Sequence, residues 1–258
     1  MSDVIELGKE FYIHPQSPLV DIQTRVLMRG DLFAVFDRCG DLRAFGTGGH
    51  GLFYNESRHL SKSVLRLADG PLSLLSSAVT LGNDRLGVDL TNPDLKFPDG
   101  CRLPRAVIHV RRTKFLRANK CEEEIRIRNF SLQRVSFGLV LELDADFADI
   151  FEVRWRPREK PRLLLAPEIT GSSLTFGYLG QDKVLRKTTI VSSAKPAATG
   201  PSEMRWRIEL EPQHETEFTI TVACLSEPSG KAAARRTGRL PLPRPASAAA
   251  ALRSTCLP

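Results

Sequence analysis

Alternation with a period of two runs through most of the chain. Val135, Phe137, Leu139, Leu141 and Leu143 fall on one side of an extended backbone, with Ser136, Gly138, Val140, Glu142 and Asp144 on the other. Ile125 and Ile127 alternate with Arg126 and Arg128, and Trp206, Ile208 and Leu210 with Arg205, Arg207 and Glu209. Phe218, Ile220, Val222 and Cys224 alternate with Thr219, Thr221 and Ala223. Successive side chains of a strand point to opposite faces, so the pattern predicts half-buried antiparallel strands. Turn residues separate the runs at Cys39-Gly40, Asp69-Gly70-Pro71, Gly82-Asn83-Asp84, Asp99-Gly100 and Leu179-Gly180-Gln181-Asp182. Asn129-Phe130-Ser131 lies between two runs, where a hairpin would place its turn. No long segment carries a 3.6-residue apolar stripe, and no internal repeat is visible. The expectation is an all-β protein, a large antiparallel β-sandwich (supersandwich-like).

Residues 1–227 exceed the roughly 100 residues of a seven-stranded immunoglobulin-like module. Two tandem sandwiches or one enlarged sandwich fit that length. Lys160 to Pro167 is the most plausible break, and the single large sandwich is the preferred reading. Residues 228–258 form an Ala/Pro/Arg-rich tail with few large apolar side chains, expected to be disordered because ordering it would bury little surface. The formal net charge of +7 belongs mostly to that tail, since Lys231, Arg235, Arg236, Arg239, Arg244 and Arg253 are the only charged residues after Glu227. A nearly neutral body gives no reason to expect nucleic acid as a partner.

The five cysteines, Cys39, Cys101, Cys121, Cys224 and Cys256, are odd in number and lack Cys-x-x-Cys spacing. Reduced, mostly buried thiols in a cytoplasmic protein are expected, with neither a zinc site nor a disulfide framework. Asp3, Glu6, Lys9 and Glu10 occupy the place of a signal peptide's apolar run, and no stretch approaches the roughly 20 apolar residues of a membrane span. No membrane partner, cofactor or metal is expected.

Four groups of residues invite a chemical reading. Gly46-Thr47-Gly48-Gly49-His50-Gly51 fits G-x-G-x-x-G, with Asp69 downstream near the distance of a ribose contact. Strand and turn patterns follow it, so a glycine-rich loop is the better reading. Asp144, Asp146, Asp149 and Glu152 crowd the end of the strongest alternating run. On one strand face, Asp144 and Asp146 would stand roughly 6.6 Å apart by strand rise, within the about 5 to 9.5 Å of glycosidase carboxyl pairs. A strand end, a capped turn or short helix over Phe147 to Phe151, and pairing with local arginines are the structural alternatives. Arg58 and His59 suit a sugar hydroxyl or a partner carboxylate, although a lone histidine is more often a structural hydrogen-bonder. His109 sits on a predicted strand with no partner in view, and His14 and His214 lie in turn-like settings. The basic run Arg102, Arg105, Arg111, Arg112, Lys114, Arg117 and Lys120 has only Phe115 as an aromatic platform and reads as a solvated strand face.

Several blocks occur together in one order: Gly51-Leu52-Phe53-Tyr54 with Arg58-His59-Leu60; Leu74 to Ser77; Val88-Asp89-Leu90-Thr91-Asn92-Pro93-Asp94-Leu95; Leu103-Pro104-Arg105; Arg111-Arg112 with Phe115-Leu116; Arg126 to Asn129; and Asp144 to Arg154. On these residues, from about Leu27 to Leu225, the chain resembles the N-terminal domain of bacterial glycogen debranching enzyme-like proteins, the amylo-α-1,6-glucosidase group. Glu56-Ser57 stands where that group usually has Asp-Thr before Arg-His, which keeps a carboxylate followed by a hydroxyl. The resemblance implies a β-sandwich packed against a C-terminal six-hairpin (α/α) barrel that carries the glucosidase carboxylates. The sequence given stops before such a barrel, so no catalytic residue carries over.

The functional expectation is a non-catalytic N-terminal β-sandwich domain that supports or recognises α-glucan, with the barrel glucosidase domain absent. Arg58, His59, Asp144, Asp146, Asp149 and Glu152 are its expected substrate-binding or domain-interface residues. The alternatives are a complete glycoside hydrolase acting through Asp144 and Asp146, and a stand-alone protein-interaction module. Expected partners are α-glucan or a missing or separate barrel domain. An apolar face without an internal partner, open to homo-oligomerisation, is also expected, and the Ala-Arg-Pro bias of the tail raises a truncated or frameshifted gene as a hypothesis.

Overall fold

The alternating runs fold as strands. The computed structural model describes residues 4–7, 10–13, 24–43, 49–96, 102–154 and 163–228. In chain order the strands are β1 (Val4–Leu7), β2 (Glu10–Ile13), β3 (Arg25–Arg29), β4 (Leu32–Phe36), β5 (Leu42–Arg43), β6 (Gly51–Tyr54) and β7 (Ser57–Leu60). They continue as β8 (Lys62–Leu67), β9 (Ser73–Val79), β10 (Arg85–Thr91), β11 (Leu95–Lys96), β12 (Arg102–Leu103), β13 (Ile108–Arg117) and β14 (Lys120–Asn129). After β15 (Val135–Asp144) comes the short helix α1 (Ile150–Arg154). The remaining strands are β16 (Leu164–Thr170), β17 (Ser173–Leu179), β18 (Val184–Ser192), β19 (Ala198–Thr199), β20 (Glu203–Leu210) and β21 (Glu215–Pro228). Residues 229–258 of the expected tail, the Asp99-Gly100 turn, His14, Cys101 and Cys256 lie outside the described residues, as do Gly46 to Gly48 of the glycine motif.

An eight-stranded sheet in the order β16-β17-β18-β21-β14-β13-β10-β9 forms one layer. A five-stranded sheet, β19-β20-β15-β8-β5, and a four-stranded sheet, β3-β4-β6-β7, complete the architecture, with two small pairs, β1-β2 and β11-β12. The alternation explains the layering. Ile125 and Ile127 of β14, Phe218 and Ile220 of β21, Leu139 and Leu141 of β15, and Trp206 of β20 all join one buried cluster. Each of these strands puts its apolar parity inside, as expected of antiparallel sheets with one solvated face.

Two expectations are corrected. The segment at Asn129 is not a hairpin turn: β14 belongs to the eight-stranded sheet and β15 to the five-stranded one. Both strands bury an apolar face in the same core, so the chain must cross from one layer to the other. Asn129, fully buried, holds that arch by donating from Nδ2 to the carbonyls of Gln133 (2.8 Å) and Glu211 (3.1 Å) and accepting the Ser131 amide (2.9 Å).

The stretch ending at Pro167 does not separate two sheets, because β16 pairs with β17 in the same sheet as β13 and β14. Pro167 sits at an irregularity in the pairing between Leu165 and Glu168, on an edge strand where a missing N–H is tolerated. Leu164 and Ile169 pair with the buried Tyr178 and Leu174, yet both are nearly half exposed. The large sheet therefore overhangs the layer that covers it.

The basic run is not wholly solvated. Arg112 and Lys114 share the parity of Val110 and Leu116 and are buried with them, as is Glu123 opposite on β14. Arg112 Nε reaches Glu123 (2.5 Å) and Nη1 reaches both Asp41 (2.6 Å) and the Cys39 carbonyl (2.8 Å), while Lys114 pairs with the other Glu123 oxygen. Burial alone would raise the Glu123 carboxyl, but the adjacent Arg112 and Lys114 charges hold it at about 2.

Candidate functional site

β6 and β7 form a hairpin whose turn residues, Asn55 and Glu56, both have positive φ (46° and 64°), the backbone that suits a tight right-twisted hairpin. β7 is buried along its whole length because the acidic segment runs beside it. The Arg58 amide donates to the Ala148 carbonyl (2.7 Å), the Ser61 amide to that of Asp144 (2.9 Å), and the Ile150 amide to that of Glu56 (2.9 Å).

This pairing brings five of the six expected site residues into structural roles. Arg58 donates from Nε (3.1 Å) and Nη2 (2.5 Å) to the two oxygens of Asp146, and from Nη1 to the His50 carbonyl (3.3 Å). Gly51 gives its stem room, since a Cβ there would lie 2.5 Å from Arg58 Cδ. That close approach accounts for the last glycine of the G-x-G-x-x-G motif, and the strand β6 that begins at Gly51 stands where a dinucleotide fold needs a helix.

Asp149 and Glu152 cap α1 reciprocally. Asp149 Oδ1 accepts the Phe151 amide (2.8 Å) and Glu152 Oε2 accepts the Asp149 amide (3.0 Å), a capping box at the helix start. His59 is fully buried against Phe147 and Tyr54. The Thr188 hydroxyl donates to the His59 carbonyl (2.7 Å), so its oxygen accepts from Nδ1 (3.2 Å) and leaves Nε2 facing Ser226 Oγ (3.4 Å). Burial pushes the ring down to about 4, so it is neutral at ordinary pH.

Asp144 stands apart. β15 ends at Asp144, whose exposed carboxylate accepts the neighbouring Ala145 amide (2.8 Å). Asp146 lies beyond the strand, so the expectation that the two share a strand face is corrected. The chain turns here: Asp146 Oδ1 also accepts the Ala148 amide (3.2 Å), and Phe147 between them has φ of 50°. Left-handed backbone is costly for an aromatic residue, and here it is imposed by burial of the Phe147 ring between His59 and Tyr178.

The folded segment borders a cleft of about 290 Å³ lined by Ser57, Phe147, Asp149, Glu152, Asp182 and Arg186, among others. Arg186 donates to both Asp182 oxygens (2.7 and 3.2 Å) and from Nε to Ser57 Oγ (3.1 Å). These hydrogen bonds hold the Asp182 carboxyl below its ordinary value. The sequence marked Leu179 to Asp182 as a turn but gave no sign that Arg186, 129 residues from Ser57, closes this cleft.

One other reading changes. His109 does have a partner, as Nε2 lies 2.9 Å from Asp89, whose other oxygen accepts the Ser76 hydroxyl (2.9 Å). Within the Val88–Leu95 block, the buried Asn92 donates to the Pro93 and Pro104 carbonyls (2.8 and 2.7 Å) and accepts the Val107 and Ile108 amides (3.1 and 2.8 Å). Its role is to staple the loop before β13. Among the described residues, Cys39, Cys121 and Cys224 are free thiols, and no group of three or more His, Cys, Asp or Glu side chains is placed to hold a metal. No described helix is long and apolar enough to cross a membrane.

No curated protein matches the chain in sequence. Among solved structures, a protein named as a kojibiose phosphorylase from the human microbiome superposes with a TM-score of 0.50 at 12% identity. The match covers 85% of this chain and 32% of that one, so the chain spans about a third of that protein's length and shares its fold there. Slr1438 from Synechocystis sp. PCC 6803 superposes with a TM-score of 0.47 at 10% identity, covering 79% of this chain and 96% of that one. A protein named as an aldose 1-epimerase from Escherichia coli K12 gives 0.43 at 10% identity, covering 78% and 98%. The family model for the N-terminal domain of some glycogen debranching enzymes matches residues 27–221, and the chain belongs to that family.

Proposed function

We propose that this chain is a non-catalytic β-sandwich unit of a cytoplasmic α-glucan-processing protein, which supports or recognises the glucan while a separate (α/α) barrel cleaves the bond. The observation that carries this reading is the fate of the acidic block. Asp146 is gripped at both oxygens by Arg58, and Asp149 and Glu152 close a helix cap. Hydrolysis needs one carboxyl free to give a proton and another free to meet the sugar or a water, and three of these four are engaged in holding the fold. Family membership supports the glucan part, and the free thiols support the compartment. The overhanging edge at Leu164 and Ile169 supports a docking face for the barrel or for a second copy.

Incubation with glycogen or isomaltose tests the catalytic half of the reading, with no glucose release expected. Turnover that disappears in Asp146→Asn would establish the hydrolase alternative instead. Co-sedimentation with glycogen tests recognition, and a chain that stays in the supernatant would reduce the role to support alone.

A further inference from the structure

A small cavity lies in the core where the three sheets meet. Leu52 and Leu60 reach it from the four-stranded sheet, Ser63 from the five-stranded sheet, and Lys114, Cys121 and Glu123 from the eight-stranded one. All six are buried. The volume is about 10 Å³, which admits one water molecule and nothing larger.

The polar groups on this wall are rich in hydrogens and short of acceptors. The Lys114 ammonium carries three N–H groups. One meets a Glu123 oxygen, and the Phe36 ring centre stands 5.1 Å from Nζ, but no second oxygen accepts from it among the described residues. Ser63 occupies the inward parity of Leu65 and Leu67 on β8, where an apolar residue would pack. It is 5% exposed, and its hydroxyl has no hydrogen-bond partner among the described residues. The nearby carboxylate oxygens are already engaged. Asp41 accepts Arg112 and the Leu65 amide on Oδ1 and Arg43 on Oδ2, and Glu123 accepts Arg112 on Oε1. Arg112 Nη2 is itself left without a partner.

Unpaired buried donors are costly, so the cavity calls for an acceptor that brings hydrogens of its own. A cation would meet the Lys114 charge, and an anion would exceed the space. We infer that one ordered water, shielded from bulk solvent, binds in this cavity, accepts from Lys114 Nζ and hydrogen-bonds the Ser63 hydroxyl, and thereby ties the five-stranded sheet to the eight-stranded one. Burial pulls the Lys114 ammonium below its ordinary value while Glu123 opposes that shift, and a water oxygen on Nζ acts in the same sense as Glu123.

A crystal structure of the full chain at a resolution that shows ordered waters tests the site directly. Density within about 3 Å of both Lys114 Nζ and Ser63 Oγ is expected. A cavity without density, or one closed by direct contact of Lys114 with Ser63, would overturn the assignment. Ser63→Ala gives a second measurement, because it removes the hydroxyl without adding volume. With the water in place, the change loses a hydrogen bond and should lower the melting temperature by about 2–4 °C. In a dry cavity it only deletes an unpaired buried hydroxyl, so an unchanged or raised melting temperature would overturn the bridge.

Discussion

Arg58 and Asp146, 88 residues apart in sequence, meet as a two-pronged fork on one carboxylate. The arginine side chain is 10% exposed and the aspartate 32%, so the pair is sheltered on the arginine side and wetted on the other. Asp146→Ala should leave a sheltered guanidinium without its counter-charge and cost about 1–3 kcal/mol. Arg58→Lys should also destabilise the fold, because an ammonium cannot reproduce the planar fork. Urea unfolding of both variants measures this, and an unchanged midpoint in Asp146→Ala would reduce the pair to a surface contact.

The cap of α1 separates charge from geometry. Asp149→Ala removes a side chain that accepts a helix amide and should cost about 1 kcal/mol, whereas Asp149→Asn, also a good cap, should cost little. Amide exchange at Phe151 should speed up in the first variant and not in the second. Equal acceleration in both would mean that the carboxylate charge, and not its acceptor oxygen, holds the helix.

His59 should make the fold sensitive to mild acid. Its folded value of about 4 lies below the ordinary 6.5, so the unfolded chain binds the proton more readily between those limits. Stability contributed by the neutral ring is complete above pH 6.5 and falls through this window by about 3 kcal/mol. His59→Gln should flatten the slope between pH 7 and pH 4.5 in urea melts, even if the variant is less stable at both. A parallel slope in the variant would assign the loss to other groups.

The Arg112–Glu123–Lys114 cluster should show a second acid window at lower pH. The Glu123 carboxyl is depressed from 4.5 to about 2, so its stabilisation is present above pH 4.5 and is lost as the pH falls toward 2, by about 3 kcal/mol. At neutral pH, Glu123→Gln strips two buried cations of their shared partner and should cost about 3–5 kcal/mol. Denaturation at pH 7 checks the second figure, and a loss under 1 kcal/mol would mean that water reaches the cluster.

Face, but not partnership, was legible in the residues. The parity of Val135 to Leu143 and of Phe218 to Cys224 names the buried side of β15 and β21 correctly. The same parity cannot tell whether β14 and β15 pair or oppose each other, since both arrangements bury the same residues, and for that reason the Asn129 arch resembles a hairpin in sequence. Arg112, Lys114 and Glu123 carried a readable signal, because they occupy apolar-parity positions in their strands, but their charge led to the opposite reading.

At the site, the acidic block was visible as composition. Its geometry is not: an extended strand would set the distance between Asp144 and Asp146, but the backbone turns at a phenylalanine that gives no sequence hint of positive φ. Arg186 was invisible for a different reason. Nothing local links it to Ser57, and only the closure of β18 onto β7 brings them together.

Pro167 gives the overhanging edge a direction. An incoming strand would need a regular row of amides and carbonyls along β16, and the proline together with the register shift between Leu165 and Glu168 interrupts that row. Growth of the sheet sideways into a fibre is thereby obstructed. The half-exposed Leu164 and Ile169 remain open on the core-facing side, so whatever shields them must stack on the sheet as a further layer, about 10 Å from it if that layer is another sheet.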